Sequence, residues 1–178
     1  MRIIAGKFQR KILRPPGNLP VRPTTDLAKE SLFNILNNHF DFEELSVLDL
    51  FSGTGSISYE FVSRGAQKVL AVENNFRCVE YIQKTAALLE TPQLKVVRGD
   101  VFRFLSNVKE KFNLIFADPP FDMNGKAQIP IVVFEREILE PGGWMILEHP
   151  ANENYKLFPY FREERKYGRV HFSIFEKT

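Results

Sequence analysis

The strongest constraint on this chain lies between Ser46 and Glu148, where short apolar runs alternate with helical segments and each run ends on glycine or an acidic residue. Val47-Leu48-Asp49-Leu50-Phe51 predicts a buried strand, followed by a glycine-rich turn and a helix that runs to Arg64 and stops at Gly65. Lys68 to Glu73 predicts a second strand and Phe76 to Leu89 a second helix. Leu94 to Arg98 reads as a third strand, with a short helix over Val101 to Val108. Asn113 to Ala117 reads as a fourth strand, Ile129 to Leu139 as a helix, Pro141-Gly142-Gly143 as a turn and Trp144 to Glu148 as a fifth strand. Such alternation buries every apolar run only if the strands form a mainly parallel sheet with helices on both faces. No crossover helix follows Pro150. Phe161 to Lys166 and Val170 to Glu176 flank Tyr167-Gly168-Arg169 and predict a closing antiparallel hairpin.

The N-terminal residues follow another rule. Arg2 to Leu13 predicts two short strands around Gly6, and the proline-rich stretch from Arg14 to Pro23 suits neither helix nor central strand. Thr24, Thr25 and Asp26 offer an N-cap, and Ala28, Leu32, Ile35 and Leu36 line one face of a helix ending near His39. The chain therefore divides into a basic extension (residues 1–40) and a main α/β domain (residues 41–178). The first 40 residues carry seven Lys/Arg against two Asp/Glu, a net +5, whereas the remainder carries 17 against 20. An anionic partner met by the arm explains this imbalance, and so does a solvated basic hairpin. No apolar run reaches the roughly 18 residues of a membrane span. The lone Cys78 excludes an intrachain disulfide, and the N-terminus turns charged too early for a signal peptide. The expectation is a cytoplasmic protein with no membrane association, no metal and no obligate protein partner.

In an open parallel sheet, ligands bind outside the carboxyl ends of the strands. The unusual residues of this chain sit there. Asp49, Phe51, Gly53 and Gly55 close the first strand, and the glycines let backbone approach a ligand because no Cβ intervenes. The turn lacks the third glycine of a dinucleotide fingerprint and has no P-loop Lys, so alone it suits a nucleoside site or an ordinary turn. Glu73 and Asn74 end the second strand, 20 residues past Gly53, where a carboxylate accepts from ribose hydroxyls or is simply exposed. Asp100 and Val101 end the third. There Asp100 accepts from an adenine amino group, caps the next helix, or does both. Asp118-Pro119-Pro120-Phe121 is the most telling segment. Its prolines fix an extended turn and lack N–H groups, so the loop presents carbonyls and the Asp118 carboxylate as acceptors. An exocyclic base amine needs such a surface to localise its lone pair, and Phe121 gives a flat face for an extruded base. His149, after the fifth strand, reads as a structural histidine.

Asp49-x-Phe51-x-Gly53-x-Gly55, Glu73, Asp100 and Asp118-Pro119-Pro120-Phe121 resemble the motifs of class I methyltransferases that act on exocyclic amines. Arg2-Ile3-Ile4-Ala5-Gly6-Lys7, Arg22-Pro23-Thr24-Thr25-Asp26, Glu30-Ser31-Leu32-Phe33-Asn34 and Ser63-Arg64-Gly65-Ala66 narrow the resemblance to the bacterial 16S rRNA guanine-N2 methyltransferases of the RsmD family. The resemblance implies a Rossmann-like seven-stranded sheet ordered 3-2-1-4-5-7-6. It implies S-adenosyl-L-methionine as donor and a guanine of small-subunit rRNA, in an assembled or assembling 30S particle, as acceptor. The glycine turn, Glu73 and Asp100 would then hold the donor, and Asp118 to Phe121 the guanine. Lys7, Arg10, Lys11, Arg14 and Arg22 would meet RNA phosphates. A DNA adenine-N6 methyltransferase and a non-catalytic ribosome-assembly factor remain as alternatives, the first lacking residues for a recognition domain.

Overall fold

The computed structural model describes residues 1–19 and 25–178, so Arg22 lies outside the described residues. Among the described residues, seven strands form one sheet: β1 (Ser46–Leu50), β2 (Lys68–Glu73), β3 (Leu94–Arg98), β4 (Phe112–Ala117), β5 (Leu139–Pro150), β6 (Phe161–Tyr167) and β7 (Val170–Glu176). Their order is β3-β2-β1-β4-β5-β7-β6. Pairings from β3 to β5 are parallel, and β7 inserts antiparallel between β5 and β6. The order reverses between β1 and β4, which opens a crevice at their carboxyl ends.

Two apolar layers cover the sheet. Val47, Val69, Phe116, Ile146 and Ile174 face α1 (Asp26–Asn37), α2 (Ser56–Ser63) and α3 (Phe76–Leu88). Leu48, Leu50, Ile115, Met145 and Leu147 face α4 (Val101–Asn107) and α5 (Gln128–Glu135). This division follows the two-residue period of the strands. Strands buried on both faces are accordingly mostly apolar, with Asp49 of β1 and Glu148 and His149 of β5 as buried polar exceptions.

Helix starts follow local capping. The Thr25 Oγ1 accepts from Ala28 N at 3.3 Å, Asn75 Oδ1 from Arg77 N at 2.9 Å, and Asp100 Oδ1 from Arg103 N at 2.9 Å. One expected boundary shifts. The helix expected to run to Leu139 ends at Glu135, because Glu137 adopts a left-handed φ of 53° and Leu139 already pairs with Phe112. Pro141-Gly142-Gly143 is then an irregularity inside β5 rather than a turn before it. A Cβ on Gly143 would stand 2.8 Å from both Asn113 O and Glu140 O, so only glycine fits there.

The arm also differs from the expected strand pair. Among the described residues, Arg2 and Ile12 form a single isolated bridge, and the segment is instead fastened to α2. The buried Glu60 carboxylate accepts from Ile4 N at 2.9 Å and Ala5 N at 3.1 Å, while Lys7 N donates to Ser63 O at 2.7 Å. Gly6 has φ +83°, and a Cβ there would lie 1.8 Å from Ser63 O. Lys29 and Arg64 complete an ion-pair cluster on Glu60 at 3.4 and 2.9 Å. Burial lowers the Lys29 pKa, and Glu60 opposes that shift. Ile3 and Leu13 join the same core as α1 and α2.

Candidate active site

The carboxyl ends of β1 to β5 converge on a cavity of about 570 Å³. Asp49, Phe51 and Gly53 reach it from β1, and Glu73 and Asn74 from β2. Asp100 and Val101 arrive from β3, and Asp118, Pro119, Pro120 and Phe121 from β4. Gly55 does not line it. With φ +81°, its Cβ would stand 3.0 Å from Tyr59 Cε2 and 3.1 Å from Ile82 Cγ1, so turn geometry and helix packing require this glycine. Lys7, Arg10, Lys11 and Arg14 are exposed on the arm and line no part of the cavity.

The glycine turn is strained and held from two sides. Phe51 has φ 60°, an unusual conformation for a bulky residue and of a kind found where surrounding structure over-determines the backbone. Ser52 N donates to Val72 O at 3.1 Å, and Gly53 N donates to Glu73 Oε2 at 2.8 Å. The other Glu73 oxygen accepts from Asn75 N at 2.7 Å. Glu73 thus couples the turn to the start of α3, a structural duty invisible in the spacing alone. Ser52 Oγ is buried in the cavity wall and has no hydrogen-bond partner among the described residues.

Asp49 lies beneath the turn, where its Oδ2 accepts from Ser58 Oγ at 2.5 Å. Burial pushes its pKa up to about 7; Asp118 and Glu73 add to the rise, and the Ser58 bond opposes it. The protonation of this carboxyl is therefore poised near neutrality and responsive to any charge entering the cavity.

The loop after β4 presents acceptors in an ordered way. Pro120 O accepts from Met123 N at 2.9 Å, and Phe121 O accepts from Lys126 Nζ at 2.5 Å. Among the described residues, none donates to Pro119 O. Pro119 is buried, whereas Pro120 and Phe121 are exposed, Phe121 to 38%, and all three line the cavity. Lys126 Nζ also contacts Glu153 Oε1 at 2.5 Å and sits 6.0 Å from the centre of the Phe121 ring. Tyr155 donates to the second Glu153 oxygen at 2.7 Å.

Sequence reading missed Lys126, Glu153 and the buried Glu148, which lines the cavity at the end of β5. Glu148 had a readable signal, since it closes the apolar run Trp144 to Leu147 as Glu73 closes the second strand. Lys126 had none, because only the folded loop brings it to Phe121. His149 is structural: it is buried, its Nε2 lies 2.8 Å from Ser173 Oγ and its Nδ1 3.0 Å from Pro150 O. Burial lowers its pKa. Burial also pushes the Cys78 thiol up to about 11, so it is not an activated nucleophile.

The family model described as Conserved hypothetical protein 95 matches residues 1–176. Ribosomal RNA small subunit methyltransferase D of Escherichia coli (strain K12) is 31% identical over 145 residues, spanning 82% of this chain and 69% of that protein. A solved hypothetical protein of Thermus thermophilus superposes with a TM-score of 0.84 at 26% identity, covering 99% of each chain. The T. thermophilus 16S rRNA N2 G1207 methyltransferase RsmC, solved with AdoMet and guanosine, shares the fold with a TM-score of 0.71 at 22% identity, over 90% of this chain and 45% of that one. From the arm bound to α2 through the last strand of the sheet, the chain belongs to the Conserved hypothetical protein 95 family, that of the small-subunit rRNA methyltransferases D.

Proposed function

We propose that this chain transfers the methyl group of S-adenosylmethionine to the exocyclic N2 amine of a guanine in 16S rRNA. The observation that carries the reading is the Asp118-Pro119-Pro120-Phe121 loop, an acceptor surface that lines the same cavity as Glu73 and Asp100. The cavity fits the donor by chemistry and size. Its described lining includes Asp49, Glu73, Asp100, Asp118 and Glu148 and no Lys or Arg, which suits a ligand cationic at its reacting end. At about 570 Å³ it falls within the range usual for small-molecule sites, and Ser52 Oγ supplies an unsatisfied polar atom in its wall.

When bound, S-adenosylmethionine supplies an electrophilic methyl group on its sulfonium. Glu73 has room for the ribose, since an ionised carboxylate accepts at about four lone-pair sites and only one backbone N–H occupies each oxygen. Asp100 caps α4 through Oδ1 and keeps Oδ2 for an adenine amino group. On the acceptor side, the Asp118 carboxylate and the Pro119 carbonyl take the two N–H groups of guanine N2. That arrangement pulls the nitrogen toward tetrahedral geometry and localises its lone pair. Phe121 stacks the base and Lys126 holds the backbone beneath it. Alignment of this kind contributes up to about 7–11 kcal/mol in well-oriented systems. The surplus proton leaves N2 after transfer, through Asp118 or water.

On this reading the enzyme works in the cytoplasm on assembling 30S particles, with exposed Lys7, Arg10, Lys11 and Arg14 meeting RNA phosphates and Arg22 assigned the same role. Among the described residues, no helix is long and apolar enough to cross a membrane. Incubation with labelled S-adenosylmethionine and naked rRNA, small subunits or DNA tests the proposal, with mass spectrometry of the digested product to map the nucleotide. Label in N2-methylguanosine from either rRNA substrate supports it, and preference for small subunits supports the particle. Label only in DNA, or none, overturns it.

A further inference from the structure

We infer that Arg169, in the turn of the β6–β7 hairpin, grips a phosphate of the rRNA strand beside the target guanine and so helps hold that base at the acceptor loop. The inference rests on the guanine reading above and assigns it a positioning residue outside the cavity.

Position comes first. β7 continues the sheet beyond β5 with Val170 opposite Pro150, so the hairpin turn stands at the edge where the parallel strands have their carboxyl ends. Val170 lines the cavity, and Arg169 directly precedes it without lining the cavity itself. Tyr167 pairs with Val170, which leaves Gly168 and Arg169 as a two-residue turn. Gly168 takes a left-handed φ of 62°, and glycine in the first place of such a turn suits the twist of the flanking strands. Arg169 is thus displayed on a tight turn beside the half of the cavity where β4 and β5 end.

Charge is the second observation. The hairpin carries four cations, and three of them meet carboxylates of the same hairpin. Arg162 pairs with Glu176, Arg165 with Glu163 at 2.6 Å and Lys166 with Glu164 at 3.5 Å. Arg169 is exposed and, among the described residues, has no ion pair. Below it, the described cavity lining holds five carboxylates and no Lys or Arg. Like charge repels a phosphate from that cavity, so a neutral base can enter while the strand's phosphates stay at the rim.

The rim then has a cation on each side. Leu13 N donates to Met1 O at 2.9 Å, and Met1 Sδ accepts from Thr54 Oγ1 at 3.6 Å, with Thr54 in the cavity wall. Arg14, next after Leu13, therefore stands by the glycine-turn side, and Arg169 stands by the β5 side. A guanidinium fork matches phosphate oxygens two at a time, so Arg169 fixes orientation as well as charge.

The test reads RNA binding and methyl transfer separately, with small subunits as acceptor. Arg169→Ala should raise KM for small subunits about 3- to 10-fold, the scale of one exposed charge-assisted contact, with kcat within about twofold. The log–log salt slope of rRNA affinity should fall by about 0.7–0.9. Arg169→Lys should keep the wild-type slope because the charge remains, with an intermediate KM because the fork is lost. An rRNA fragment with one neutral methylphosphonate linkage beside the mapped guanine localises the contact. At one such linkage the wild-type chain should lose affinity and Arg169→Ala should not. An unchanged slope and KM in Arg169→Ala overturns the inference. So does a Lys variant with the slope of the Ala variant, or an Ala variant that loses as much as wild type at every substituted linkage. A wild-type chain that methylates no guanine refutes the underlying function instead, since failure of Arg169 alone leaves methyl transfer intact.

Discussion

Lys126→Met should slow methyl transfer without loosening the methyl donor. The ammonium is largely buried and makes two short contacts, 2.5 Å to Phe121 O and 2.5 Å to Glu153 Oε1. Met keeps the packing of the stem but removes both. A hydrogen bond to a charged group contributes about 1.5–3 kcal/mol, and the Glu153 pairing adds less because that carboxylate is partly exposed and screened. For a chain of this size each kcal/mol moves Tm by roughly 2–4 °C, so a fall of about 3–12 °C is expected. The catalytic effect is separate. Freed from Lys126, the Phe121 carbonyl and ring shift relative to Asp118, and a displacement near 1 Å lowers rates by about 100-fold in comparable cases. Single-turnover assays at saturating rRNA should therefore show kcat down about 10- to 100-fold, with donor affinity unchanged by calorimetry. Lys126→Arg should restore much of the loss, since a guanidinium can still bridge Phe121 O and Glu153. A Met variant with wild-type kcat, or one that loses donor binding in proportion, refutes the assignment of Lys126 to the acceptor loop.

Asp118→Ala should keep donor affinity but reduce turnover by more than about tenfold, as loss of a transition-state contact does; an unchanged turnover number with rRNA removes it from the mechanism. Because the Asp49 pKa lies at about 7, a cationic ligand entering the cavity should drive its proton off. Donor affinity should then rise as pH increases from about 6 to 8, with proton release in calorimetry across buffers of different ionisation heat, and absence of release at about pH 6.5 contradicts the coupling. Changing Arg10 and Lys11 together to Ala should flatten the salt dependence of RNA affinity by about 1–2 log–log units while leaving donor binding unchanged, and an identical slope refutes their phosphate contacts.

The legible parts of the chain were those where a residue type answers to its local geometry. Apolar runs such as Val47 to Leu50 and Lys68 to Glu73 stand out as strands because parallel strands buried on both faces leave no alternation to misread. Asp118-Pro119-Pro120-Phe121 was readable because two prolines leave few backbone options. Contacts made only by tertiary folding were not readable. Nothing near Glu73 announces that its carboxylate accepts from Gly53 N and Asn75 N, and nothing near Lys126 points to Phe121 five residues earlier. The end of α5 was missed for a related reason. Glu137 takes a left-handed φ without being glycine, so the apolar pattern runs on past the true stop.

The arm shows why net charge alone could not settle its role. Part of its positive charge is structural: Lys29 is buried on Glu60, and Arg2 Nε sits 3.1 Å from Asp26. Among the described residues, Lys7, Arg10, Lys11 and Arg14 remain outward, with the Lys7 and Lys11 ammonium groups 5.2 and 5.8 Å from the centre of the Phe8 ring. Those cations belong to a segment fastened to α2 through Glu60 and Ser63, and the first turn of α2 follows directly from the glycine turn at the cavity. Buried ion pairs broken on one side destabilise by about 3–5 kcal/mol, so the Lys29–Glu60 contact keeps the arm from detaching while leaving the exposed charges free to act. One helix therefore carries the glycine turn at its start and the basic arm along its side. If those cations meet RNA phosphates as proposed, their attachment to α2 fixes where a guanine amine is presented relative to the glycine turn.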